Sequence, residues 1–127
     1  MISLNVLIVD SDPISVKLLT TMLQKAGCNF NFTESSNAVN AASILKANQN
    51  FDIIIVDLNL SGIDGIELLR IIKAEDQLNS IPVVITTSDD TRKNEAMDFG
   101  ASSFLVKPIL LKTLQEKFRD VLSPCES

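Results

Sequence analysis

Ile53-Ile54-Ile55-Val56-Asp57 is four β-branched apolar residues in unbroken succession, closed by a carboxylate. An amphipathic strand alternates, whereas a short continuous run of this kind reads as a strand covered on both faces, the habit of parallel sheets. Working outward, Val6-Leu7-Ile8-Val9, Val83-Val84-Ile85 and Phe104-Leu105-Val106 have the same character. Phe30 to Thr33 alternates Phe with polar residues, which suits a strand at a sheet edge.

Helical patterns lie between these runs. Asp12-Pro13 opens the first, with Asp as N-cap and Pro in the first helical position. Ile14, Leu18, Leu19, Met22, Leu23 and Ala26 follow at helical spacing, and Gly27 is the expected stop. Ala38, Ala41, Ala42 and Leu45 mark a second helix, capped by Ser36 or Asn37. Ile66, Leu68, Leu69, Ile71 and Ile72 mark a third, starting near Gly65. A more polar fourth helix is expected over Asp90 to Phe99 and is ended by Gly100. Leu111, Leu114, Phe118 and Val121 mark a fifth. Strand and helix alternate five times, which implies a doubly wound α/β fold with helices on both faces of a five-stranded parallel sheet.

Composition narrows the chemistry. At 127 residues the chain is expected to be a single domain over 1–127, with a core over about 4–122 and a frayed tail over 123–127. Lys and Arg total 11 against 16 Asp and Glu, a net charge of −5 that suits no phosphate backbone, so nucleic acid is not an expected partner. There are 0 His residues, which removes Ser-His-Asp and Cys-His catalysis and His-based zinc sites. Cys28 and Cys125 form no CxxC motif and read as reduced thiols. No apolar run approaches the ~18 residues of a membrane span, and Met1 to Asn5 has no basic leader, so a cytoplasmic location is expected.

In open α/β sheets, function gathers beyond the carboxyl ends of the strands. Those positions hold Asp10, Ser11 and Asp12 after the first strand and Asp57 after the third. Thr86, Thr87 and Ser88 follow the fourth, and Lys107-Pro108 the fifth. Two close carboxylates repel unless a cation lies between them. A hard cation on carboxylate, carbonyl and water, with room for a phosphoryl oxygen, is a Mg²⁺ site. A carboxylate can act as nucleophile in phosphoryl transfer, with metal, ammonium and hydroxyl stabilising the transferred group. An activated phosphodonor would require no general base, which fits a chain without His.

These residues resemble the receiver domain of two-component response regulators. The resemblance runs from about Leu4 to Leu122. It rests on Val6-Leu7-Ile8-Val9-Asp10, Phe51 to Asp57, Gly62-Ile63-Asp64-Gly65, Pro82 to Ser88, Gly100-Ala101 and Phe104-Leu105-Val106-Lys107-Pro108. It implies the flavodoxin-like (βα)5 strand order 2-1-3-4-5. It also implies Asp57 as phosphoacceptor, with Mg²⁺ held by Asp10, Asp57 and the backbone carbonyl of Asn59, Asp12 being a further possible ligand. Thr87 is implied as the switch hydroxyl, Phe104 as the aromatic that turns inward with it, and Lys107 as the invariant lysine before a cis proline. The implied partners are a sensor histidine kinase or phosphotransfer protein and a downstream protein target that reads the β4-α4-β5-α5 face. Three positions depart from the family. Ser11 replaces the second of two adjacent acids, Ser61 replaces the usual Pro, and residue 104 is Phe where Tyr is also common. Ser11 favours the alternative of a phosphorylation-independent interaction module. Asp10-Ser11-Asp12 also resembles the DxD nucleophile of haloacid-dehalogenase-type phosphatases, the reading of the chain as a turnover enzyme.

Overall fold

The computed structural model of the protein describes residues 3–25, 28–60 and 62–122. The expected tail over 123–127 and the expected helix stop at Ala26-Gly27 lie outside them. Five parallel strands, β1 (Ser3–Val9), β2 (Asn29–Ser35), β3 (Ile53–Asp57), β4 (Val83–Thr87) and β5 (Ser103–Val106), form one sheet in the order β2-β1-β3-β4-β5. The helices are α1 (Pro13–Gln24), α2 (Ala38–Ala47), α3 (Gly65–Ala74), α4 (Lys93–Asp98), α5 (Leu111–Lys117) and the short α6 (Arg119–Leu122).

Alternation along the strands feeds two cores, one on each face of the sheet. Leu7, Val9, Ile54, Val56, Val83 and Ile85 pack with α2, α3 and Ala96 of α4. Val6, Ile8, Ile53, Ile55, Val84 and Leu105 pack with Val16, Leu19 and Leu23 of α1 and with Leu114, Phe118 and Leu122. All five residues of β3 are buried, as are all five of β4. Edge strand β2 has an alternating exposed and half-buried face.

Several local expectations are corrected. Ile14 and Leu18 are 71% and 55% exposed, and the buried face of α1 is Val16, Leu19 and Leu23. The fourth helix begins as a 3-10 turn over Asp90–Arg92 before α4. The fifth is interrupted at Phe118, between α5 and α6. Cys28 is disulfide-bonded rather than a reduced thiol, and Cys125 lies outside the described residues. Among the described residues no helix is long and apolar enough to cross a membrane.

Candidate functional site

The register of the sheet sets Asp57 beside Thr86, and Thr87 beside Val106, so the ends of β3, β4 and β5 lie level. The end of β1 joins them through Val9, paired with Val56. The polar residues that follow these apolar strands are thereby gathered at one edge. The ammonium of Lys107 donates to Asp10 Oδ2 at 2.9 Å and to Asp57 Oδ2 at 3.3 Å. The other oxygen of each carboxylate accepts from the loop that follows it. Asp12 N–H donates to Asp10 Oδ1 at 2.9 Å, and Asn59 N–H donates to Asp57 Oδ1 at 3.2 Å. The site is thus two buried carboxylates bridged by one ammonium.

Burial raises the Asp57 pKa above the ordinary carboxylate value, and the nearby Asp10 charge adds to the rise. The Asn59 N–H and the Lys107 charge offset this only in part. Burial also opposes the charge on Lys107, but its hydrogen bond to Asp10 and the charges of Asp10 and Asp57 outweigh it and raise the lysine pKa.

The β4–β5 corner is fixed by backbone bonds. Thr86 C=O accepts Leu58 N–H at 2.8 Å, and Thr87 C=O accepts Lys107 N–H at 2.6 Å. Thr87 is fully buried, and its hydroxyl oxygen accepts Asp89 N–H at 3.2 Å. The Lys107-Pro108 peptide is cis, as the resemblance implies. Phe104, the expected switch aromatic, is buried in the core that packs with α2, α3 and Ala96 of α4.

Asp12 stands apart from the acid pair. It is fully exposed and caps α1, accepting Ile14 N–H at 3.0 Å and the Ser15 hydroxyl at 3.0 Å. These two bonds hold its pKa below the ordinary value. With both oxygens engaged at the helix start, the side chain resembles a cap more than a nucleophile or ligand. Ser11 is exposed beside it and adds no charge.

The sequence marks Gly65 as a helix start, and α3 begins there. A Cβ there would lie 2.5 Å from the Asp57 carbonyl oxygen and 2.8 Å from Leu58 Cα, so α3 begins against the backbone at the end of β3. Its N–H donates to Leu58 C=O at 3.0 Å. Gly62-Ile63-Asp64-Gly65 belongs to the family resemblance, but no sequence pattern reports how closely α3 approaches the end of β3.

A parallel sheet in the order β2-β1-β3-β4-β5 with paired carboxylates and a lysine at its carboxyl edge is the arrangement that the resemblance to receiver domains implies. The chain belongs to the response regulator receiver domain family, whose model matches residues 6–119. Chemotaxis protein CheY-3 of Vibrio cholerae serotype O1 is 32% identical over 117 residues, covering 91% of this chain and 88% of that protein. Chemotaxis protein CheY of Pseudomonas aeruginosa is 30% identical over 120 residues, covering 93% and 95%. The structure of chemotaxis protein CheY4 from Vibrio cholerae superposes with a TM-score of 0.79 at 26% identity, covering 94% of this chain and 98% of that one. A receiver domain of a sensor histidine kinase from Pseudomonas aeruginosa PAO1, solved with a magnesium ion coordinated in its active site cleft, shares the fold. Its TM-score is 0.82 at 20% identity, with 95% and 98% covered. Receiver domains are signalling components of two-component systems, and phosphorylation and Mg²⁺ are general features of the family. This membership replaces the haloacid-dehalogenase reading of Asp10 and Asp12.

Proposed function

We propose that this receiver domain is a phosphorylation-operated switch that accepts a phosphoryl group on Asp57. The observation that carries the reading is the single Lys107 ammonium held between buried Asp10 and Asp57 at the carboxyl edge of the sheet. An Asp57 carboxylate oxygen attacks phosphorus. The new O–P bond forms as the donor's N–P bond breaks, and the imidazole nitrogen of the phosphohistidine leaves with the electron pair. Lys107 stabilises charge on the transferred group, and the Thr87 hydroxyl turns from Asp89 N–H to a phosphoryl oxygen.

Mg²⁺ suits the donor set. Asp10, Asp57 and the Asn59 carbonyl are hard oxygen ligands, and Mg²⁺ uses one or two carboxylates while keeping several waters. Among the described residues no group of three or more Asp, Glu, His or Cys is placed to hold a metal, in keeping with Ser11 where the family has an acid. When bound, the ion would neutralise charge on the acceptor and the phosphoryl oxygens.

The phosphodonor in this reading is a sensor histidine kinase or phosphotransfer protein. A groove of about 380 Å³ beside Lys107, lined by Leu18, Leu19, Met22, Pro108 and Ile109, offers it an apolar seat next to the acceptor. The output is a change in the β4-α4-β5-α5 face, where Val106 and Leu110 are 45% and 64% exposed, read by a downstream protein. The whole of 1–127 acts as one receiver domain that accepts and loses a phosphoryl group and turns over no external substrate. A cytoplasmic location belongs to the same reading.

Ser11 and the charge balance already supplied by Lys107 favour a second reading, a module that signals without phosphorylation. Labelling by acetyl phosphate separates the two. The switch labels only with Mg²⁺ present, and Asp57→Asn abolishes the label. Absence of label at any Mg²⁺ concentration supports the second reading.

A further inference from the structure

We propose that Arg92 is a positioning residue that ties the switch hydroxyl to the acceptor loop and holds the site in its resting geometry. The inference rests on the phosphorylation reading above. It starts from a line of contacts that leaves Thr87 and returns to Asp57 without passing through Lys107. Asp89 N–H donates to Thr87 Oγ1 at 3.2 Å, and Asp89 Oδ1 in turn accepts Thr91 N–H at 3.0 Å, capping the 3-10 turn. Arg92, the last residue of that turn, reaches across to α3 and donates to Asp64 Oδ2 at 3.2 Å. Asp64 is the N-cap of α3: its Oδ1 accepts Glu67 N–H at 3.0 Å. The next residue is Gly65, packed directly on the Asp57 carbonyl.

Asp89 joins Thr87 to the 3-10 turn, and Asp64 joins Arg92 to the first turn of α3. Thr87 cannot turn toward a phosphoryl group on Asp57 and still accept Asp89 N–H. Losing that bond frees the cap of the 3-10 turn and with it the base from which Arg92 reaches Asp64. The Arg92–Asp64 pair is therefore made in the resting state and weakened in the phosphorylated one. By linkage, an interaction made in only one state biases the equilibrium toward that state. Arg92 Nε also donates to Glu95 Oε1 at 2.7 Å, but Glu95 lies on α4 and moves with the turn, so that pair carries no bias.

The pair is 38% exposed on both sides, so its effect is that of a surface ion pair, about twofold to fivefold in an equilibrium constant. The test is the affinity for beryllofluoride, a phosphoryl mimic, with saturating Mg²⁺, followed by fluorine NMR alongside a thermal melt. Arg92→Gln and Asp64→Asn, the latter keeping a capping oxygen, should each tighten beryllofluoride binding by about twofold to fivefold. The double variant should be no tighter than either single one, and Glu95→Gln should leave the affinity unchanged. A merely structural pair would lower the melting temperature and leave affinity unchanged or weaker, and that result, or additive single effects, overturns the proposal. Failure of the wild-type chain to bind beryllofluoride at all would instead overturn the phosphorylation reading and this inference with it.

Discussion

Replacing Lys107 with Met removes the ammonium that bridges Asp10 and Asp57 and leaves two buried carboxylates facing each other. Breaking a buried ion pair by deleting one partner costs about 3–5 kcal/mol. The Lys107 side chain is 20% exposed against 6% for Asp10 and 8% for Asp57, so water can compensate in part and the low end, about 3 kcal/mol, applies. For a chain of this size that is a fall of about 10 °C in melting temperature. The sign of the pH dependence follows from Asp57. Its pKa in the folded protein is raised, so the folded state binds a proton the unfolded chain would release, and stability falls as pH rises from the ordinary carboxylate range through the folded pKa. Without Lys107 the rise is larger, each further pKa unit being worth about 1.4 kcal/mol. The deficit of Lys107→Met against wild type should thus be large at about pH 7 and shrink at about pH 5, where a carboxyl can be neutralised by protonation. Far-UV circular dichroism melts measure it, the chain having 0 Trp and 0 Tyr for fluorescence. A deficit that is equal or larger at the lower pH would refute the assignment of Lys107 as the counter-ion of the acid pair.

Gly65→Ala drives a Cβ against the Asp57 carbonyl and should cost about 1–3 kcal/mol as overpacking while slowing labelling by acetyl phosphate. Normal stability with normal labelling would show that α3 can back away freely. Ser11→Asp should tighten Mg²⁺ binding in a calorimetric titration by restoring a charge beside Asp10. Asp12→Asn, which keeps a capping oxygen, should leave Mg²⁺ binding almost unchanged, and greater damage from it than benefit from Ser11→Asp would make Asp12 a ligand. Phe118→Ala should cost about 3–5 kcal/mol, because this ring fills the α1 side of the core where α5 gives way to α6. A smaller loss would mean that the interruption at Phe118 lets the segment collapse into the space.

The sheet was legible because burial on both faces leaves a direct mark: Ile53 to Val56 and Val83 to Ile85 tolerate only apolar side chains, so their first polar residues stand out as strand ends. Asp10, Asp57, Thr87 and Lys107 stand out as candidates by that route, together with the family resemblance. The face of α1 was not, because Ile14 and Leu18 fit the helical period as well as Val16 does, and only docking against β1 and β3 selects between them. The break at Phe118 left no Gly or Pro to announce it. Phe104 can be named as an aromatic on β5, but its burial depends on the core formed with α2, α3 and α4. The approach of Gly65 to Asp57, and the reach of Arg92 to Asp64 across 28 positions, are properties of two segments meeting.

The central claim is that the acceptor is a carboxylate, and an acyl phosphate differs in reactivity from the phosphate ester that any neighbouring hydroxyl would form. After incubation with acetyl phosphate and Mg²⁺, intact-mass measurement should show one added phosphoryl group. Hydroxylamine should then remove it and leave a hydroxamate that peptide mapping places at Asp57. A label that survives hydroxylamine, or that maps to Ser11, Thr86, Thr87 or Ser88, would contradict the account.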